Sequence, residues 1–492
     1  MGLGLMERNA GAEFFLMDQK RLQKAAVLCL LAVCGGVCCA GVARAQTAQP
    51  SQPLIGEPAA QDYQGGVPVG TVQAGSIALT LEDAIARGLR QNLGLLLSHA
   101  QTATVRGEQL QQLQDLLPKV DANLSENLMQ TDLAAEGLRV PGFPTIIGPY
   151  GYTDVRANLN WTALNLTALH NYLASRHDFR AAQLTAADAR QMVILTVGNA
   201  YLVVVADRAE VDAVKAQVET SKTSLDQATA RHDAGTAPKL DVLRAQVDYQ
   251  SQQQQLIVAE NQLAKDKLAL ARAIGLPMAQ QFTVADTVPY AAFDQPDVQS
   301  EIDKALAARK DRQAAAETTA SMTEQRKAAA ADRLPTVKVS ADYGDIGVNL
   351  NHSHGTGDAS GMLTIPIFKE AQFRGEAKIA QSQLDQQKAK QSDLDAQIEA
   401  DIRDALLDIA STEKQVAVAQ SNVKLAKEEL SDAQQRYAAG VSDNLAVTQA
   451  QQSVAQADGS YIDSLYQHNV AKLNLARSMG MAQNYKEYLG GK

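Results

Sequence analysis

Large apolar and aromatic residues recur every seven positions over long stretches of the chain, and small residues follow them three positions later. This heptad pattern predicts α-helices packed as coiled coils, because the repeat keeps one stripe of each helix against its neighbour. We predict one long helical hairpin over residues 167–275 and a second over 370–480. The large positions of the second hairpin are Ile402, Ile409, Val416, Val423, Leu430 and Tyr437, followed by Val447, Val454, Tyr461, His468 and Leu475 on the returning helix.

Further apolar residues lie off this stripe. A single antiparallel hairpin needs only one apolar stripe, so a second one indicates that these helices contact neighbours on two sides. Helices with two contacting sides form a sheet of helices, which can close into a tube, although a spectrin-like bundle would also use the extra faces. The residues off the stripe include Val203, Val205, Ile398, Leu406, Leu407 and Val418.

Two shorter regions alternate strictly between polar and apolar residues. This period of two predicts β-hairpins at 119–164 and 336–368, with one polar and one apolar face on each strand. A half-exposed sheet in a soluble domain fits the alternation equally well. Strand lengths of about ten residues favour a membrane barrel, because a tilted membrane strand needs that length.

Gly- and Pro-rich segments, 130–151 and 344–358, are predicted to be long loops between the paired strands. His352 and His354 lie in the second loop. Two ligands on a flexible loop make a poor metal site, so we predict an exposed polar loop and no bound metal.

Four strands per chain are too few to close a barrel, which begins at about eight strands. An open sheet edge within a membrane would leave backbone groups without hydrogen bonds. If the strands span a membrane, several chains must therefore share one barrel.

The chain repeats itself. Residues 231–246, RHDAGTAPKLDVLRAQ, return 205 positions later as RYAAGVSDNLAVTQAQ. A helix capped by Thr80 and ended by Pro118 also has a counterpart, from about Gln299 to Pro335. Repetition on this scale predicts a duplicated unit. The predicted organisation is a first repeat at 79–276, a connecting equatorial segment at 277–298, a second repeat at 299–481 and a C-terminal tail at 482–492.

Residues 1–45 have the pattern of a secretory signal peptide: basic residues, an apolar run and a small-residue cleavage pattern. All four cysteines lie in this segment, so the exported chain would contain none. Cys34 leaves a lipoprotein open as an alternative, although Val33 is a poor residue to precede an acylated cysteine. Residues 46–78 are predicted to be a mobile linker. No later run approaches the roughly 20 apolar residues of a membrane-spanning helix. The cysteines are Cys29, Cys34, Cys38 and Cys39.

The composition excludes some functions. A formal net charge of −10 with scattered basic residues argues against a nucleic-acid partner. Aromatic residues make up only 4% of the chain, which is low for a compact enzyme core. We find no catalytic grouping, phosphate loop or metal-ligand cluster, and predict neither enzymatic activity nor a cofactor.

The sequence resembles the TolC-like outer-membrane efflux family over about 78–480. The resemblance rests on the two-fold repeat, the segment LTLEDAIARGL, the strand beginnings LLPKV and RLPTV, and the two R-x-x-x-G tips. It implies a homotrimer in the bacterial outer membrane, with a shared 12-stranded transmembrane β-barrel and an α-helical tunnel in the periplasm. It also implies a passive exit duct for efflux or type I secretion, docked to a periplasmic adaptor and an inner-membrane pump.

The same resemblance assigns roles to the hairpin tips. It places the gate at Tyr437 and Asp241, although the second tip departs from the family pattern because Ala446 stands where the first has Asp241. A non-channel periplasmic coiled-coil scaffold is the alternative function. The expected adaptor-docking residues are Arg231, Gly235, Leu240, Arg436, Gly440 and Leu445.

Overall fold

The computed structural model describes most of the chain beyond its first 60 residues. The predicted signal peptide and the first part of the predicted linker lie outside the described residues. The described ranges are 61–135, 137–138, 141–286, 290–293 and 296–490.

Helices dominate the described chain, and strands form two small sheets. The predicted mainly helical fold with duplicated long hairpins is confirmed. In chain order the elements are β1 (Ile77–Leu79), α1 (Leu81–Gln91), α2 (Leu93–Gln114), β2 (Lys119–Asp132), β3 (Ile146–Leu164), α3 (Leu166–Asp233), α4 (Lys239–Ala273), β4 (Phe282–Val284), α5 (Val298–Ala308), α6 (Lys310–Ala331), β5 (Thr336–Gly347), β6 (Ser353–Thr364), α7 (Glu370–Ala438), α8 (Asn444–Ser478) and α9 (Tyr485–Leu489).

The long helices α3 and α7 contain 68 and 69 residues. At 1.5 Å per residue each is about 100 Å long. Each returns through a 35-residue helix, α4 or α8. The heptad residues form the contact between α7 and α8, where Ile402, Ile409, Val416 and Val447 are almost fully buried. The apolar stripe therefore supplies the hydrophobic burial that holds each hairpin together.

The residues off the stripe differ in exposure, and Val203 and Val205 are half-buried. Ile398 and Leu406 are buried against the rest of the chain, whereas Leu407 and Val418 are 68% and 61% exposed. The second face is thus only partly covered within one chain.

The two helices that precede the strands are each broken, although the sequence predicted them to be continuous. Asn92 adopts extended backbone angles between α1 and α2. It is fully buried, caps α2 through the Gly94 N–H at 3.0 Å, and donates to the carbonyl of Tyr63. Arg309 occupies the equivalent break between α5 and α6, where Asp311 and Asp401 hold its guanidinium at 2.6 and 3.1 Å. Both breaks depend on partners distant along the chain, which local patterns do not show.

Four strands form one antiparallel sheet in the order β2-β3-β5-β6. Pairing of Val120 with Leu159, and of Leu159 with Ala341, places the apolar residues on one face. Pairing of Asn158 with Asp342 places the polar residues on the other. The apolar face is uncovered: Val120, Leu124 and Leu128 are 71–80% exposed.

The loops predicted at 130–151 and 344–358 are shorter in the structure, so the predicted bounds are wrong. Strands β2 and β3 continue to Asp132 and from Ile146, and β5 and β6 continue to Gly347 and from Ser353. Backbone pairing persists through these Gly- and Pro-rich residues, with a register shift near Met129. His354 accordingly lies in a strand, opposite Ile346.

The described part of the predicted mobile linker is held against the first repeat. Tyr63 is buried beneath Gly94. The Val67 N–H donates to the Gln91 carbonyl at 2.8 Å, and β1 pairs in parallel with β4. The segment is therefore fixed by backbone contacts with residues distant along the chain. Its Gly- and Pro-rich composition, from which mobility was predicted, does not show these contacts.

One described helix, α3, is long and apolar enough by length and composition to cross a membrane, contrary to the sequence prediction. Half of its apolar window is buried within the fold. Val193, Val197, Tyr201 and Val204 of α3 belong to a core cluster shared with α1, α4 and the small β1-β4 sheet. The apolar character of this helix is therefore accounted for by protein packing.

Two buried residues of α8, Lys472 and His468, bind the connecting segment to the second hairpin. The Lys472 ammonium group and His468 Nε2 both contact the carbonyl oxygen of Ala291. His468 Nδ1 lies 3.1 Å from the Thr412 hydroxyl on α7. Burial lowers the pKa of both Lys472 and His468. His468 therefore lies in the heptad stripe as a hydrogen-bonded residue of the helix interface.

Candidate docking and gating site at the hairpin tips

The two tips share one backbone design. Gly235 and Gly440 have φ angles of 74° and 76°, in the left-handed region that glycine adopts without steric cost. At the first tip the Thr236 N–H donates to the Arg231 carbonyl, and at the second the Val441 N–H donates to the Arg436 carbonyl. This Schellman pattern ends each outgoing helix and turns the chain into its return.

The tips expose apolar side chains. Leu240 is 53% exposed, Leu445 is 41% exposed and Val441 is 72% exposed. No atom lies within 4 Å of the position a Cβ would take on Gly235 or Gly440. The tips therefore present a polar backbone turn beside exposed leucines, a surface that a partner protein could cover.

The two tip arginines differ in their contacts. Arg231 reaches across to the second tip, where its guanidinium donates to the carbonyls of Tyr437 and Ala438, each at 2.7 Å. It also lies over the Tyr437 ring, 4.4 Å from its centroid. Arg436, its repeat counterpart, is 61% exposed and pairs only loosely with Asp432, at 3.9 Å.

Asp241 and Tyr437 are both nearly buried, at 6% and 5% exposure, but no hydrogen bond joins their side chains. The Tyr437 hydroxyl has no hydrogen-bond partner among the described residues. The Asn444 amide reaches the Asp241 main-chain carbonyl at 3.5 Å. Arg231, which the resemblance implied to be a docking residue, thus makes the two shorter hydrogen bonds between the tips. The sequence does indicate that the two tips differ, because the first copy has His232 at the position where the second copy has Tyr437.

The polar face of the sheet carries a connected set of charges at the other end of the molecule. Arg156 on β3 forms ion pairs with Asp342 on β5 and with Asp154, and donates to the Thr356 hydroxyl on β6 at 3.1 Å. Asn158 donates to Asp121 on β2 at 3.2 Å. One face of the sheet is therefore suited to water and the other to an apolar medium.

Carboxyl groups of α3 lie close to carboxyl groups of the neighbouring helices α4 and α8. Burial and the neighbouring Asp266 raise the pKa of Asp207 to about 7. Burial and Asp458 also raise the pKa of Glu210, one turn along the same helix. The first hairpin thus holds a carboxyl group that titrates near neutral pH.

Replacing Asp207 by Asn should flatten the pH dependence of stability. The folded-state pKa lies above the ordinary value, so the folded chain holds a proton that the unfolded chain has lost. The stabilisation is present at low pH and is lost as the pH rises from about 4 to about 7. We expect the thermal midpoint of Asp207→Asn, followed by circular dichroism in detergent, to rise relative to the native chain across this range. Asp212→Asn, an exposed change on the same helix, should follow the native curve. Parallel curves for Asp207→Asn and the native chain would contradict the assignment.

Long twin hairpins joined to an amphipathic four-stranded sheet define the class of channel-forming outer-membrane proteins. The family model described as "Outer membrane efflux protein" matches residues 85–276 and 302–481, and the chain belongs to this family. The predicted resemblance is confirmed. The protein is accordingly one of the outer membrane, with a periplasmic helical extension.

Relatives and solved structures agree with this assignment. The pyoverdine export outer membrane protein OpmQ of Pseudomonas putida is 24% identical over 329 residues, 66% of each chain and thus just under two thirds of the relative. The probable efflux pump outer membrane protein TtgC of Pseudomonas putida is 22% identical over 81% of this chain and 82% of its own. The Campylobacter jejuni CmeC outer membrane channel has a similar fold, with a TM-score of 0.75, 18% identity, and coverage of 87% of this chain and 95% of its own. VceC of Vibrio cholerae has a TM-score of 0.71 at 18% identity, with coverage of 81% and 96%.

Proposed function

We propose that three copies of this chain form a passive exit duct. Each copy contributes four strands to a shared 12-stranded barrel and two hairpins to a tunnel of helices. The supporting observation is the uncovered four-stranded sheet. Its apolar face is exposed, its polar face carries Arg156 and Asp342, and its outer strands, β2 and β6, have free edges. Neighbouring copies would pair these edges, because unpaired strand edges are costly within a membrane.

The helices extend the duct to a partner. At about 100 Å, α3 and α7 are long enough to carry the tips deep into the periplasm. The exposed Leu240 and Leu445 would dock on a periplasmic adaptor protein, which links the duct to an inner-membrane pump. The pump supplies the energy, and the duct carries small molecules or polypeptides without chemistry of its own.

The test is transport in cells. A strain lacking this chain should accumulate a fluorescent efflux substrate, and the native chain should restore its export. A strain with unchanged accumulation of a panel of dyes, toxic compounds and exported polypeptides would count against the duct. The non-channel scaffold predicts that outcome, but the exposed apolar face of the sheet and the family assignment favour the duct.

A further inference from the structure

A polar cavity lies where α3, α4 and α8 of one chain meet, away from the hairpin tips. It has a volume of about 360 Å³, and its lining includes Glu210 on α3, Asp458 on α8 and Gln252 on α4. Glu210 lies about 32 Å from the tip residue Arg231 along α3, at 1.5 Å per residue. The cavity is therefore separate from the docking and gating site.

The cavity is lined by oxygen atoms and carries uncompensated negative charge. Its described lining includes two carboxylates, glutamine side chains from all three helices and no basic residue. Glu210 reaches within 3.8 Å of the position of a Cβ on Gly459, next to Asp458, and it forms no ion pair among the described residues. Lys427 on α7 contacts Asp458, at 3.3 Å between Nζ and Oδ1. One of the two like charges is thus balanced, and that of Glu210 is not.

Gln252 supplies the observation that points to a ligand. Its side chain is only 3% exposed, and its Oε1 accepts no hydrogen bond from the described residues. Its amide group donates to the side chain of Asp248, one turn earlier on α4. A buried carbonyl oxygen normally has a protein, water or ion partner. Because Gln252 lines the cavity, this oxygen is available to a ligand held there.

The second copy of the repeat has none of this chemistry. The shift of 205 residues gives Gln415 as the counterpart of Glu210, Gln253 as that of Asp458 and Ala457 as that of Gln252. The counterparts carry no charge, yet the second hairpin has helices of nearly the same length as the first. The carboxylates are therefore not required to build a hairpin, and a ligand accounts for their placement in the first.

We propose that Glu210, Asp458 and Gln252 bind a calcium ion in this cavity. Calcium takes about six to eight oxygen ligands from carboxylates, amide carbonyls and water in flexible geometry, whereas magnesium requires a near-ideal octahedron. With two carboxylates and one neighbouring lysine, the affinity should match that of extracellular calcium modules, with a Kd of about 10⁻⁴–10⁻³ M. The ion joins α3, α4 and α8 within one chain, so the site does not depend on the proposed duct.

Equilibrium dialysis with radioactive calcium tests the site in the detergent-solubilised protein. The double variant Glu210→Gln with Asp458→Gln copies the uncharged residues of the counterpart positions, so we expect it to fold. It should bind about one calcium ion fewer per chain than the native protein. Gln252→Ala, which copies Ala457, should weaken calcium binding by about threefold to tenfold, the loss expected for one neutral oxygen contact.

Glu219→Gln with Asp226→Asn is the matched control, because it removes two exposed charges from the same helix. This control should bind as many calcium ions as the native protein. An equal loss in the control would indicate an adventitious ion only, attracted by net charge, and would overturn the proposal. Equal calcium binding by the native protein and the Glu210/Asp458 variant would overturn it as well.

Hydrogen exchange of the native protein locates the ion without any substitution. Calcium should slow amide exchange where the three helices line the cavity, at residues 210–217, 251–255 and 452–458, and leave the tips unchanged. Magnesium at the same concentration should slow it less. Protection that is absent, confined to the tips or stronger with magnesium would contradict the calcium site, and none of these results bears on the duct.

Discussion

Replacing Leu240 and Leu445 by Asp should abolish export while leaving the protein in the outer membrane. These leucines are half exposed at the two tips, where they are the apolar part of the proposed adaptor surface. Burying a charge in such a contact costs far more than removing a methyl group, and interface anchors contribute about 2 kcal/mol or more each. We expect adaptor affinity to fall at least about a hundredfold. Substrate accumulation should then match that of the strain lacking the chain.

The matched control is Val348→Asp. Val348 is 73% exposed and lies between β5 and β6, at the opposite end of the molecule. This substitution should leave export and adaptor affinity unchanged. Normal export by the double leucine variant, at a normal membrane level, would show that docking does not use these residues.

Replacing Arg231 by Ala should raise the conductance of the duct in planar lipid bilayers. Arg231 donates two hydrogen bonds to carbonyls of the other tip and lies over the Tyr437 ring. Charged hydrogen bonds contribute about 1.5–3 kcal/mol each, and a cation–π contact adds about 0.5–2 kcal/mol. Loss of even ~3 kcal/mol would shift the balance between joined and separated tips by about a hundredfold. Single channels should therefore remain open for longer or at a higher conductance.

Arg436→Ala is the internal control, because Arg436 occupies the same place in the repeat but makes only a loose pair with Asp432. Its conductance should equal that of the native chain. The predicted Asp241–Tyr437 latch is a separate hypothesis, which Asp241→Ala and Tyr437→Phe test in the same bilayers. Equal effects of the two arginine variants would exclude an Arg231-specific contact as the gate.

Periodicity predicted most of the fold. The heptads of large residues located the hairpins because the same side chains, such as Ile402 and Ile409, form the helix contacts. Alternation located the strands because both faces of the sheet have a consistent chemical character, as the pairing of Leu159 with Ala341 shows. The repeat located the tips, since Gly235 and Gly440 must each adopt a left-handed backbone.

Features that depend on distant partners could not be read from local patterns. Asn92 breaks a helix because its side chain reaches Tyr63 and Ala273, and Arg309 does so beside Asp401. The strands extend into Gly-rich segments because their neighbours continue to pair with them. At the tips, the sequence indicated the arginines but not that only Arg231 reaches across to the other hairpin. Such contacts follow from three-dimensional placement.

The native mass of the assembly tests the central claim most directly. Membranes should first be washed with high salt, which should release no protein, and then extracted with mild detergent for native mass spectrometry. A duct that shares one barrel among chains predicts a mass of three mature chains. A monomer, or a protein released by salt alone, would contradict the account, because four strands with free edges cannot span a membrane unaided.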